Sequence, residues 1–147
     1  MEKKLNRFVK YPVIIISIVI CISGLRWLVS QEPWILDKVA NEERLAMTFN
    51  ELFLIEGNDT LSAYLKQIYR FLGLYVFGTG LMLLVFASNH FFKTKSFRNK
   101  YLLVLGVLLF SNIILAYFWI PSSHFIYIMW GAIILYLISL FNHINIK

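Results

Sequence analysis

The chain has 147 residues, of which 59% are hydrophobic and 15% are charged, and its formal net charge is +6. Soluble domains contain about 45–50% apolar and about 25% charged residues, so this composition excludes an ordinary soluble domain and predicts one membrane domain over residues 1–147. The positive charge does not predict nucleic-acid binding, because the basic residues stand at the ends of apolar runs.

Four apolar runs are long enough to form membrane-spanning helices. A bilayer core needs about 20 apolar residues of helix, within a range of roughly 17–25. Runs of this kind occur at about 12–30, 71–88, 101–120 and 125–141. Helices are expected because the bilayer core offers no water to the backbone polar groups. The predicted fold class is therefore all-α, an integral membrane four-helix bundle.

The distribution of basic residues predicts that both termini face the cytoplasm. Nine of the 14 Lys and Arg residues lie on the side of the termini and of the connection between the second and third runs, and five lie on the other side. An excess of Lys and Arg is typical of cytoplasmic loops. We therefore expect a multi-pass protein of the cell (inner) membrane, with segment 31–70 on the exoplasmic side.

The first run permits a second interpretation. A basic start, an apolar run and the small residues Cys21 and Ser23 before Gly24 are also typical of a signal peptide cleaved after Ser23. Apolar residues continue beyond that point to Val29, which favours a retained span.

The exoplasmic segment 31–70 carries a helical pattern of its own. Its apolar positions share one helical face: Ile35, Val39, Ala46, Phe49 and Phe53. Its polar positions share the opposite face: Asp37, Asn41, Arg44, Thr48 and Glu51. This 3.6-residue period predicts an amphipathic helix over about 33–56, lying on the outer membrane surface or capping the bundle. A further helix is expected to run from Leu61 into the second span without a break.

Small residues predict where the helices pack against one another. Lipid tails provide no hydrophobic drive between helices, so close packing depends on Gly, Ala and Ser. Gly73, Gly80 and Ala87 are spaced seven residues apart in the second run, and the first run offers Gly24 after Ser17 and Cys21. We expect these stripes to form the seams of the bundle, with a homodimer face as the alternative use of one of them.

Two arginines near the outer ends of spans are the candidate ligand-binding residues. Arg26 lies four residues, about 6 Å, inside the first span, and Arg70 stands at the head of the second. Charges within spans indicate function by default, and guanidinium groups bind carboxylates and phosphates. We therefore predict a pair of anion anchors at similar depth. The alternative is that these side chains only extend to the lipid headgroups. Candidate polar partners are Glu32, Glu51, Glu56, His124 and Asn112.

The standard catalytic motifs are absent from the sequence. There is no HExxH, CxxC, GxSxG or phosphate-binding glycine loop. His90 and His143 lie near the cytoplasmic ends of their spans without a carboxylate or cysteine beside them, so we predict no metal site and no cofactor. No catalytic residue is assigned from motifs.

The stretch YRFLGLYVFGTGLMLL begins at Tyr69 and carries a resemblance to a known group. Together with the four-span layout and the long first outer connection, it resembles the small bacterial four-helix membrane proteins of the DoxX-like group, many of which have no known function. The resemblance rests on Arg70, Gly73, Gly78 and Gly80, while the layout covers most of the chain. It implies the same fold and no particular activity.

Three functions are compatible with these patterns. The first is a non-enzymatic protein that binds a lipid, a small hydrophobic ligand or a partner protein at an outward-facing site under the 33–56 helix, with Arg26 and Arg70 as anchors. The second is a membrane enzyme acting on a lipid or quinone-like substrate, with Arg70, Glu51 and His124 as its polar groups. The third is a structural subunit of a membrane complex. The expected partners are the lipid bilayer, a bound lipid, and a second copy or another membrane protein, but no nucleic acid.

Overall fold

The computed structural model describes residues 5–146 and is 86% helical, with no β-strand in that range. Its α-helices are, in chain order, α1 (Tyr11–Val29), α2 (Lys38–Leu45), α3 (Phe49–Leu54), α4 (Leu61–Ser88), α5 (Lys95–Trp119) and α6 (Phe125–Asn145). A π-helical turn, Asn6–Lys10, leads into α1, and 3-10 turns occupy Pro33–Asp37 and His90–Lys93.

The four predicted spans are confirmed as helices, and all four are long and apolar enough to cross a membrane. As expected, α4 runs from Leu61 through the head of the second span without interruption. Only 22% to 33% of each apolar window is buried inside the fold. The outward faces are covered with large apolar side chains such as Ile15, Phe118 and Phe141. Soluble monomers rarely expose so much contiguous apolar surface, so this surface is that of a multi-pass membrane protein.

Helices α1 and α4 make the closest contact in the fold, and glycines make it possible. A Cβ atom on Gly24 would collide with the backbone nitrogen of Phe77. A Cβ atom on Gly73 would lie 2.8 Å from the carbonyl oxygen of Gly24, and one on Gly80 would lie 2.6 Å from the backbone nitrogen of Cys21. The two backbones therefore touch along this face, which is how small residues bring membrane helices together.

The other helices join this pair through a few specific contacts. Helix α6 packs on α1 and on the π-helical turn before it, where the buried Ser139 hydroxyl donates a 3.0 Å hydrogen bond to the carbonyl oxygen of Val9. Helix α5 packs on α6 and is tied to α4 by the Tyr101 hydroxyl, which donates to the carbonyl oxygen of Leu83 at 3.0 Å. The face of α4 that meets α1 continues to Ala87, which is fully buried. The order around the bundle is α4, α1, α6, α5.

The connection between α1 and α4, which we call the cap segment (residues 30–60), is not the single amphipathic helix expected over 33–56. It consists of the 3-10 turn Pro33–Asp37 and two short helices, α2 and α3. The chain breaks after α2 because Ala46 adopts a left-handed conformation, with φ of 55°, and Thr48 starts α3 as its N-cap. Ile35 and Val39, which were expected on the apolar face of the single helix, are exposed.

Aromatic rings and hydrogen bonds hold the cap segment together and attach it to α4. The buried Trp34 ring lies 6.1 Å from the ring of Phe49 and 5.3 Å from that of Phe53, between centroids. The Asn41 amide nitrogen donates to the carbonyl oxygen of Trp34 and to the hydroxyl of Tyr69, both at 3.2 Å. The cap segment therefore has a small core of its own, fixed on the head of α4. We call this end of the bundle the cap end and the opposite end, which carries Lys10, Lys93, Lys95, Arg98 and Lys100, the basic end.

Replacing Gly80 with Ala is expected to destabilise the fold by about 1–3 kcal/mol, because the added methyl group overpacks a backbone contact with α1. Gly78, on the same helix, has open space where its Cβ would lie. Gly78→Ala is therefore the matched control and should not destabilise the protein. The free energy of unfolding of both variants is measured in detergent, with circular dichroism as the readout. Equal effects of the two substitutions would contradict the glycine seam.

Replacing Thr48 with Ala is expected to loosen α3, at a cost of about 1 kcal/mol. The Thr48 hydroxyl accepts from the Glu51 backbone, while the Glu51 carboxylate accepts from the Thr48 backbone N–H at 2.7 Å. Thr60→Ala is the control, because Thr60 is the N-cap of α4 but makes no side-chain capping bond. Amide hydrogen exchange of α3 should accelerate only in Thr48→Ala.

The same capping bonds give α3 a pH dependence. The hydrogen bonds from Thr48 to the Glu51 carboxylate lower the pKa of Glu51. The stabilisation is therefore present above the ordinary pKa of a glutamate and is lost as the pH falls through the lowered value. The protection of α3 amides, measured as exchange relative to the intrinsic rate at the same pH, should therefore fall as Glu51 becomes protonated. Unchanged protection would mean that the carboxylate is not the capping group.

Candidate functional site

A cavity of about 340 Å³ lies between α1, α4, α5 and α6, directly beneath the cap segment. Its wall is mostly apolar, with side chains such as Val19, Leu72, Leu109 and Met129. Its polar residues are Ser23, Trp27, Asp37, Tyr75, Thr79 and Asn112. Small-molecule sites typically have about 300–1,000 Å³, an apolar wall and a few polar groups, and this cavity has those properties.

Trp27 contributes to the cavity wall from the last turns of α1. Its ring centroid lies 5.2 Å from that of Phe125, the first residue of α6. The indole nitrogen is buried, and no atom of residues 5–146 accepts a hydrogen bond from it. Buried donors are nearly always paired, because an unpaired one forfeits about 1–3 kcal/mol. Trp27 therefore carries a donor beside the cavity that the described protein atoms do not use.

Asp37 is the acidic residue of the cavity and was not predicted as a site residue. The amphipathic pattern placed it on the polar face, whereas the 3-10 turn Pro33–Asp37 directs it inwards and leaves it 8% exposed. Its carboxylate oxygen lies 3.3 Å from Nδ1 of His124, which is half exposed. The His124 ring also stacks on Phe125, with centroids 4.4 Å apart. Burial of a carboxylate requires such a partner, so His124 and Asp37 form one unit.

The sequence offered only a weak signal for Asp37. It stands between Leu36 and Lys38 in a segment whose regular 3.6-residue period pointed it outwards. Only the short 3-10 turn, which has 3.0 residues per turn, rotates it towards the bundle. A prediction would have needed Glu32-Pro33 to be recognised as the start of a separate turn.

Asn112 and His124 are the predicted polar partners that the structure places at the cavity. Asn112 lines it about two turns, or some 10 Å, below the end of α5. Its amide nitrogen donates to the carbonyl oxygen of Leu108 at 2.7 Å, which leaves the amide oxygen as an acceptor. His124 reaches the cavity through its contact with Asp37.

The two predicted anchors lie outside the cavity wall. Arg26 and Arg70 are both exposed, and neither forms an ion pair with an acidic side chain among residues 5–146. A Cβ atom on Gly73 would meet both the Gly24 carbonyl oxygen and the Leu28 backbone nitrogen, so Gly73 is level with about residue 26. Arg70 therefore lies about 4–5 Å nearer the cap end than Arg26, at 1.5 Å per residue. The three glutamates named as their partners are exposed too, and Glu51 is occupied by the capping bonds of α3.

Within residues 5–146, no group of three or more His, Cys, Asp or Glu side chains is arranged to hold a metal ion. The polar groups of the cavity are one carboxylate–imidazole pair, one indole donor, one amide and the hydroxyls of Ser23, Tyr75 and Thr79, within an apolar wall.

Comparison of the chain with protein-family models, with curated protein sequences and with solved structures gives no match. The resemblance to the DoxX-like group stays a prediction from the sequence.

A double-mutant cycle tests whether Asp37 and His124 act as one unit. We expect His124→Phe to destabilise the protein, because it leaves the buried carboxylate without its partner. His124→Phe should be less harmful in an Asp37→Asn background, giving a coupling energy of roughly 0.5–1 kcal/mol for a partly exposed pair. Chemical unfolding of the four proteins in detergent measures it. A coupling energy of zero would show that the pair does not form.

Proposed function

We propose that this protein binds a small hydrophobic molecule in the cavity beneath the cap segment. The observation that carries the proposal is the cavity itself, about 340 Å³ between four helices with its polar groups at two levels. Trp27 and Asp37 stand at the cap end, and Asn112 lies deeper. A ligand with an apolar body and one polar end matches this arrangement, since the apolar wall would hold the body.

The chemical class of the ligand's polar end can be inferred from the hydrogen-bonding groups of the cavity that still have a donor or acceptor position open. The Trp27 indole needs an acceptor, and the Asp37 carboxylate and the Asn112 amide oxygen can each accept a bond from a donor. A hydroxyl group satisfies both needs, because it accepts from the indole and donates to the carboxylate. A carbonyl oxygen on a ring or chain satisfies only the first need, because it can accept a bond from the Trp27 indole. The ligand class is therefore an uncharged lipid-like alcohol, ketone or quinone.

The membrane setting is part of the same proposal. The excess of Lys and Arg at the basic end supports a cytoplasmic location for that end and for both termini, with the cap segment on the exoplasmic side of the inner membrane. In this orientation Arg26 and Arg70 lie close to the outer headgroups. Their exposure supports a role as anchors for lipid phosphate rather than for the ligand in the cavity.

A membrane enzyme acting on a lipid or quinone-like substrate is the second candidate, and the Asp37–His124 pair is the observation that favours it. A carboxylate that orients an imidazole is a common arrangement in general base catalysis. Glu51, named from the sequence for this role, has its carboxylate engaged in the α3 capping box. The enzyme would therefore use His124 as the base, oriented by Asp37. An enzyme would convert the bound molecule, and His124→Gln would then abolish conversion without abolishing binding.

Binding is tested with a small uncharged naphthoquinone as the probe, added to the detergent-solubilised protein and measured by equilibrium dialysis. Ala132→Phe introduces a ring into the cavity wall and is expected to abolish binding. Ile134→Phe, on an exposed position of the same helix, is the matched control and should leave binding intact. Equal binding by both variants would overturn the proposal.

Trp27→Phe tests the polar contact within the same assay. The ring and its packing on Phe125 are largely kept, while the unpaired donor is removed. We expect affinity for the quinone to fall about fivefold, which corresponds to one hydrogen bond of about 1 kcal/mol. Stability without the probe should stay the same or rise, because no buried donor is left unpaired. Unchanged affinity would exclude the indole from the site.

A further inference from the structure

The basic end holds a second cavity, of about 380 Å³, between α5 and α6. Its polar residues are Lys95, Asn99, Tyr136 and His143. Its apolar wall includes Leu103 and Ile144, which are strongly exposed on the outside of the bundle. The cavity therefore combines polar side chains at the end of two spans with an apolar wall that continues onto their outer surface.

A buried arginine organises this cluster. Arg98 is 4% exposed, and its Nη1 donates to the carbonyl oxygens of Phe92 and Lys93 at the end of the preceding 3-10 turn. Its Nε donates to Nδ1 of the buried His143 at 3.2 Å. Since guanidinium has only donors, Nδ1 of His143 must present its lone pair, and the imidazole proton resides on Nε2.

The proton on Nε2 fixes the orientation of Asn99. Nε2 lies 2.6 Å from the amide oxygen of Asn99, and with this tautomer the imidazole donates to that oxygen. The amide nitrogen of Asn99 is then left with two N–H donors for which residues 5–146 provide no acceptor. The hydrogen bonds from Arg98 to His143 and from His143 to Asn99 thus orient the Asn99 amide nitrogen as a donor beside the cavity. Lys95 lines the same cavity.

The charge around the cavity has the sign that attracts an anion. Every acidic side chain in the described part of the chain lies between Glu32 and Asp59, in the cap segment at the opposite end of the bundle. The basic end carries Lys95 and the buried Arg98 close to the cavity. A buried guanidinium held only by neutral acceptors gains from a nearby negative charge.

We propose that this cavity binds the phosphate headgroup of an anionic phospholipid, with Lys95 and the Asn99 amide as its donors and an acyl chain lying along Leu103 and Ile144. The exposed apolar side chains favour a lipid over free phosphate, because they give the ligand an apolar body to bury next to its charge. This site is distinct from the ligand cavity at the cap end, because the two cavities share no lining residue. Their walls are about one helical turn apart, between Leu103 and Leu108 on α5 and between Ala132 and Tyr136 on α6.

The test measures how much phosphatidylglycerol, relative to phosphatidylcholine, the intact protein retains from mixed nanodiscs, by native mass spectrometry. Asn99→Asp keeps an acceptor for His143 but places a negative charge at the cavity, and Lys95→Gln removes a positive one. Each should lower the retained ratio about fivefold, as expected for a basic contact worth about 1 kcal/mol. Ser96→Asp and Lys100→Gln change the net charge equally from exposed positions on α5 outside the cavity wall, and they should leave the ratio unchanged.

Two outcomes would overturn the assignment. Loss of the preference in Ser96→Asp or Lys100→Gln, to the same extent as in Asn99→Asp and Lys95→Gln, would mean that diffuse charge attracts the lipid. Stabilisation of the detergent-solubilised protein by inorganic phosphate, equal to that given by short-chain phosphatidylglycerol, would identify a free-anion site instead. The folded state of each variant is checked by its thermal unfolding transition, and Asn99→Asp should unfold as the wild type does because the bond to His143 is kept.

Discussion

The backbone contact between α1 and α4 is the constraint on which the rest of the fold depends. Gly24, Gly73 and Gly80 remove the side chains that would hold the two helices apart. In a bilayer the apolar side chains gain nothing by leaving lipid, so association depends on close packing of this kind. Once α1 and α4 touch along one face, the remaining face of α1 is free to receive α6. Helix α1 thereby links α4 to α6 within the bundle.

The cavity at the cap end follows from that arrangement. The glycine face brings α1 and α4 together on one side, while Val19, Ser23 and Trp27 of α1 turn towards α5 and α6. Tyr101 closes the ring of helices nearer the basic end, by its hydrogen bond to Leu83, and no comparable hydrogen bond between α4 and α5 occurs at the cap end of residues 5–146. The helices therefore leave space beneath the cap segment, and the 3-10 turn places Asp37 over it.

The buried charged groups at the two ends of the bundle have different kinds of partner. At the cap end, the Asp37 carboxylate has an imidazole partner in His124. At the basic end, Arg98 is held by two backbone carbonyls and an imidazole lone pair, all neutral. The first arrangement suits a polar but uncharged ligand, and the second leaves a net positive field that suits an anion. The same chain thus offers two chemically distinct environments at opposite ends of the bundle.

The sequence by itself determined the four spans, the continuous helix from Leu61 and the small residues available for packing, because hydropathy and residue size act locally along the chain. It did not determine the shape of the cap segment. There, the left-handed Ala46 and the capping box at Thr48 divide a pattern that a single amphipathic helix fits equally well. Asp37 became a cavity residue only through the 3-10 turn Pro33–Asp37, and Asn99 became an oriented donor only through Arg98 and His143, which lie 45 residues apart in sequence. Contacts of this range depend on how helices pack, which residue spacing within one segment cannot specify.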